Sequence, residues 1–78
     1  MNIEQAFYDV LQDFVDFPVS ELDTALPIHY AADLNSFMLI QLATALEERF
    51  SIRISSQDLQ GIPSADDILA YLRVRLGA

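Results

Sequence analysis

The chain contains no cysteine and no lysine. Without cysteine there is neither a disulfide framework nor a thiolate metal site, which fits a reducing compartment and predicts a cytoplasmic protein. No apolar run reaches the length of a membrane span, and no basic segment precedes a hydrophobic stretch at the start, so neither a membrane span nor export is expected. Basic residues are scarce: four arginines face twelve acids, and every arginine (Arg49, Arg53, Arg73, Arg75) lies after Glu48. A net charge of −8 disfavours nucleic acid and anionic membranes as partners and steers toward basic protein surfaces. The same acidity also keeps a small apolar protein in solution. Paired carboxylates, a metal cluster and a nucleophile–base pair are all missing, and His29 stands alone, so no catalytic residue is assigned and no enzyme is expected.

What is present is an apolar content of 53% in 78 residues, enough for one small core and far from a disordered acidic tail. Three segments repeat apolar residues at helical spacing. They are Ile3-Phe7-Val10-Leu11-Phe14, Leu39-Leu42-Ala43-Leu46-Phe50 and Ala65-Ile68-Leu69-Leu72-Leu76. The spacing predicts an all-α bundle with three principal helices, the whole chain (1–78) forming one domain. The first helix should stop near Asp16, because Pro18 disfavours helical geometry at Phe17. A long connection follows, with Val19, Leu22, Leu26, Ile28 and Tyr30 as candidate anchors onto the core. The second principal helix should span 36–50, about 22 Å at 1.5 Å per residue. Ser51–Ile54 then reads as an extended connector with Ile52 and Ile54 turned inward. Ser56–Gln60 reads as a short helical turn ended by Gly61 and Pro63. Ser64-Ala65-Asp66-Asp67 opens the last helix like a capping box, with Arg73 and Arg75 at its other end.

The helix over 36–50 departs from the usual charge placement. Its opening turn holds no acid, although an anion there is stabilising by about 0.3–1 kcal/mol, while Glu47 and Glu48 sit at the disfavoured end. That leaves the N-terminus open to a negative group from outside the sequence, with the Ser36 hydroxyl beside it. Phe37, Gln41, Thr44 and Glu48 should face solvent, with Met38 and Ile40 flanking the core stripe. Plainer readings exist for each: Ser36 as an ordinary helix cap, Phe37 folded onto the loop, Glu47 and Glu48 as a solvated face.

These residues together resemble the acyl carrier protein family. Its pattern is an Asp-Ser-Leu motif, an amphipathic helix ending in glutamates and phenylalanine, then Ile-x-Ile. Here Asn35-Ser36-Phe37 leads without a gap to Glu47-Glu48-Arg49-Phe50 and Ile52-Arg53-Ile54. Ile62-Pro63-Ser64-Ala65 and Asp67-Ile68-Leu69-Ala70-Tyr71-Leu72 fall where the family has its final helix, and the loop with Leu22, Leu26 and Tyr30 matches in length.

The resemblance implies a four-helix bundle, with Ser56–Gln60 as the short third helix. It implies 4′-phosphopantetheine attached to Ser36 by a phosphopantetheinyl transferase using coenzyme A, with cargo held as a thioester on the arm. Partner docking would involve Asn35, Phe37, Met38, Ile40, Gln41, Glu47, Glu48 and Ile54. Leu42, Leu46, Ile54 and Ile62 would line any acyl pocket. Further partners would be an acyl- or aminoacyl-loading ligase or acyltransferase and downstream biosynthetic enzymes, met by a monomer. Two departures from the pattern stand out. Asn35 replaces the usual aspartate, and Met38 and Gln41 stand where acids are common, which points to a partner that reads Phe37, Met38 and Gln41 by apolar contact. Polyketide, modified fatty-acid or other specialised biosynthesis is the expected setting. An aminoacyl carrier and an unmodified helical interaction module are the alternatives. The lack of lysine would also spare a thioester from attack by amines, although a genome-level bias toward arginine is the plainer account and the one preferred.

Overall fold

The computed structural model describes residues 2–54 and 63–77. Within them the elements are α1 (Ile3–Gln12), a 3₁₀ turn (Val19–Glu21), α2 (Ile28–Ala31), α3 (Ser36–Phe50) and α4 (Ala65–Leu76). The all-α architecture expected from the spacing is the one observed, with α1 packed against both α3 and α4. The expected short helix over Ser56–Gln60, and Ile62 with it, lies outside the described residues.

Each long helix starts on a side-chain cap. Asn2 accepts the Gln5 N–H at 3.0 Å, and Asn35 accepts the Met38 N–H at 2.8 Å. At α4, Ser64 Oγ accepts the Asp67 N–H while the Asp67 carboxylate accepts the Ser64 N–H, the reciprocal box expected from Ser64-Ala65-Asp66-Asp67. The apolar stripes meet in one core, whose most deeply buried side chains are Phe7, Leu11, Ile28, Leu42 and Leu72. Burying a side chain of this size stabilises by about 1.5–3 kcal/mol relative to leaving it in water.

Two expectations are corrected. First, α1 ends at Gln12 rather than near Asp16. Acids accumulate at this negative helix end (Asp9, Asp13, Asp16) and no basic residue offsets them. Tight i to i+3 bonds then take over: Asp13 N–H donates to Val10 O and Phe14 N–H to Leu11 O. The Gln12 side chain closes the turn, donating to Phe17 O at 2.9 Å and accepting from Val19 N–H at 3.1 Å.

Secondly, the long connection is anchored by a different set. Leu22 and Ile28 are buried as expected, and Val19 packs against the core, but Leu26 is 46% and Tyr30 74% exposed. Ala32 and Leu34 are buried in their place. The reason is α2, whose single turn and C-cap direct Ile28 and Ala32 inward and leave Tyr30 on the outer side, while the turn that follows carries Leu34 inward. Backbone bonds also tie the loop to the start of α4: Ile28 N–H to Pro63 O at 3.0 Å, and Asp66 N–H to Thr24 O at 3.1 Å. These bonds satisfy backbone groups that a free loop would leave to water.

Candidate functional site

The site begins one residue before α3. Asp33 adopts a left-handed backbone (φ 54°), and the Leu34 N–H returns to the His29 carbonyl at 3.0 Å. This is the closure that commonly ends a helix, with aspartate in the place glycine usually takes. It turns the chain sharply, buries Leu34 and delivers Asn35 to the head of α3. Asn35 is the cap: its backbone is extended, its Oδ1 takes the Met38 N–H, and its carbonyl takes the Leu39 N–H at 2.9 Å.

Ser36 is therefore the first residue inside the helix, and capping does not engage its hydroxyl. It is exposed and makes no side-chain hydrogen bond among the described residues. The reading of Ser36 as the helix cap is overturned because the neighbouring amide does that work. The first turn of α3 holds no acid, so the helix itself sets no negative charge against its N-terminus at Ser36.

Beyond Ser36, α3 presents the face the periodicity predicted. Phe37 is 67% and Ile40 63% exposed, and Gln41, Thr44 and Glu48 also face solvent. The alternative that Phe37 folds onto the loop does not hold. Met38 is half-buried and packs against the core, so it offers a partner less than Phe37 or Ile40 does. Leu39, Leu42, Ala43, Leu46 and Phe50 are buried. Leu42 and Leu46, candidates for an acyl pocket, are core residues, and Ile54 packs half-buried against the same cluster.

Glu47 differs from its neighbour in a way the sequence did not reveal. It is half-buried, and its Oε2 accepts the Ile54 N–H at 3.0 Å. Glu48 and Arg49 are exposed. The helix closes on Ser51, also left-handed (φ 56°), with the Ser51 and Ile52 N–H groups both directed at the Glu47 carbonyl. From α4, Arg75 donates to the Arg53 carbonyl at 3.1 Å and the Tyr71 hydroxyl reaches it at 3.4 Å. The connector 51–54 is thus held by side chains from both flanking helices. Glu47 was a missed structural residue: an acid seven positions before an unpaired N–H leaves no local pattern.

The arrangement brings together an exposed hydroxyl at the head of α3 and an exposed uncharged face on the same helix. The chain belongs to the family described as phosphopantetheine attachment site, whose model matches residues 5–72. Members carry covalent 4′-phosphopantetheine and work with a phosphopantetheinyl transferase and biosynthetic enzymes. The relatives it matches are named acyl carrier proteins, which are carriers rather than enzymes. The chain is 25% identical over 77 residues to the acyl carrier protein of Chlamydia caviae, covering 99% of this chain and 100% of that one. It is 25% identical over 75 residues to that of Syntrophus aciditrophicus, covering 96% and 94% respectively. It is 20% identical over 65 residues to the meromycolate extension acyl carrier protein of Mycobacterium bovis, covering 83% of this chain and 56% of that one. No solved structure matches significantly. Among the described residues no helix is long and apolar enough to cross a membrane.

Proposed function

We propose that the 4′-phosphopantetheine arm is attached to Ser36 and that this domain serves as a carrier of acyl intermediates. The observation that carries this is the division of labour at the head of α3: Asn35 caps the helix, so the Ser36 oxygen stays exposed and without a hydrogen bond among the described residues. The residues present fit the group. A phosphodiester on Ser36 would place its negative charge at the positive end of a 15-residue helix, with no acid in the first turn to repel it. When bound, the arm supplies a terminal thiol that holds cargo as a thioester, a chemistry this cysteine-free chain lacks.

The chain's own part in the attachment is to present a nucleophile. No carboxylate or imidazole hydrogen-bonds Ser36 among the described residues, so the base that takes its proton belongs to the transferase. After attachment, α3 supplies the docking face for successive enzymes through Asn35, Phe37, Met38, Ile40, Gln41 and Glu48. Ile54 and the buried Leu42 and Leu46 remain the residues that we propose would contact an acyl chain, should cargo enter the core beside α3. Acyl cargo is preferred over aminoacyl cargo because the relatives are named as acyl carriers. Modified fatty-acid, polyketide or other specialised biosynthesis in the cytoplasm is the setting we favour.

The test is co-expression with a broad-specificity phosphopantetheinyl transferase, followed by intact mass measurement. One phosphopantetheine is expected on the wild type and none on Ser36→Ala. A wild type that stays unmodified with every transferase tried ends the proposal. Mass measurement of protein from the native host would then identify the cargo.

A further inference from the structure

The acids of this chain are spread widely, yet from Leu34 to Leu46 no residue is charged, the longest such run in the sequence. This run occupies the exposed helix that begins with Ser36. At about 100° per residue, Ser36, Ile40, Thr44 and Phe37 fall within one arc of about 100° on α3. An enzyme that approaches the Ser36 oxygen over this arc lies against Phe37 and Ile40, both about two-thirds exposed.

Three further observations make this arc less polar than its composition suggests. The Thr44 hydroxyl already donates to the Ile40 carbonyl at 3.1 Å, so its proton is not available to a partner. The Asn35 Oδ1 is engaged by the Met38 N–H. Glu47 is half-buried and holds the Ile54 N–H, which leaves the exposed pair Glu48 and Arg49, of opposite sign, as the charges at the far end of α3. A cationic surface facing this arc would gain little locally from the protein's overall charge of −8.

We infer that the transferase that esterifies Ser36 recognises this carrier through an apolar recess that takes Phe37 and Ile40, rather than through cations set against α3. The inference rests on Ser36 being the esterified residue. It deepens that reading by assigning the chemistry of the partner's surface. The long-range field of the acidic chain still aids encounter; the contact itself is made by apolar burial.

The experiment measures kcat/KM for modification of the full chain by a broad-specificity phosphopantetheinyl transferase with coenzyme A, followed by intact mass. The variants are Phe37→Ser, Ile40→Ser, Phe37→Leu and Gln41→Glu, with Val74→Ser on α4 as control. Val74 is 81% exposed, so the control removes an equally solvent-facing apolar group from another helix. Phe37→Ser and Ile40→Ser are each expected to lower kcat/KM by about tenfold or more, the size of an interface hot spot. Phe37→Leu should retain most of the rate, Gln41→Glu should lower it, and Val74→Ser should leave it within about twofold, since surface changes away from a contact have small effects. Thermal melts establish that each variant is folded, which the exposure of these side chains favours. If the wild type is modified on Ser36 but Phe37→Ser and Ile40→Ser keep their rates, or Gln41→Glu raises the rate, this inference falls alone. If the wild type takes no arm at all, the proposed attachment at Ser36 falls with it.

Discussion

The division between Asn35 and Ser36 can be measured by stability alone, without any partner. Asn35→Ala removes the acceptor of the 2.8 Å bond from the Met38 N–H at an exposed helix end. Losing such a cap costs about 1 kcal/mol, with a range of about 0.5–2. In a chain of this length that lowers Tm by about 4–8 °C. Ser36→Ala removes a hydroxyl that bonds nothing among the described residues, and alanine is a good residue for a first helical turn, so its effect stays within about 0.5 kcal/mol. Asn35→Asp keeps a capping oxygen and adds a charge the helix N-terminus favours, stabilising the unmodified protein by about 0.3–1 kcal/mol. Once an anionic arm occupies the next residue, that gain should shrink, because two negative charges then share one helix end. The assay is thermal unfolding by far-UV circular dichroism of both forms of each variant at low salt. Should Ser36→Ala lose as much as Asn35→Ala, the serine is a cap after all. The oxygen on which the functional reading depends would then already be in use.

The Glu47–Ile54 bond gives a second prediction: Glu47→Ala should destabilise by about 1.5–3 kcal/mol, the usual worth of a hydrogen bond to a charged group, while Glu47→Gln recovers part of it. Amide hydrogen exchange at Ile54 should accelerate in Glu47→Ala, and an unchanged rate would show that the carboxylate does not hold the connector. Leu72, fully buried on α4, is the place to probe the core. Leu72→Ala should cost about 2–5 kcal/mol, a large share of the total stability of a domain this small, and urea unfolding reads it directly. Tyr8 gives a pH dependence. Burial, then the negative charges of Glu4 and Asp66, raise its phenol above the ordinary 10.0 despite an opposing effect of Arg73. The unfolded chain therefore ionises this group first. The contribution is fully present below pH 10 and is lost as pH rises from there through the folded-state value. Tyr8→Phe should flatten that alkaline fall in Tm, and an identical fall in the variant would assign it to other groups.

Much of the bundle was legible because each long helix writes its own period into the chain. The 36–50 helix appears with the bounds its apolar spacing indicated, and Phe37, Gln41, Thr44 and Glu48 face outward as the same spacing required. The capping box at Ser64 and Asp67 was equally plain, since both partners lie within four residues. What misled was the connection between α1 and α3. Leu26 and Tyr30 are apolar enough to anchor a loop, but they are exposed, because the single turn of α2 and its backbone bond to Pro63 select other residues. The end of α1 was misplaced for a related reason. Pro18 marks where a helix cannot continue, whereas Gln12 closing onto Phe17 and Val19 decides where this one stops.

The sequence by itself determined the helical class, the outward face of α3, the charge-free run behind Ser36 and the resemblance to carrier proteins. All of these follow from residue order within a few turns of helix. Tertiary structure decided which groups remain available: that Asn35, not Ser36, is the cap, that Glu47 is tied to the Ile54 amide, and that α4 grips the Arg53 carbonyl through Tyr71 and Arg75. The physical reason is that a periodic pattern is a local property of the chain. The occupancy of a donor or acceptor depends on which distant groups the folded backbone brings within about 3 Å of it.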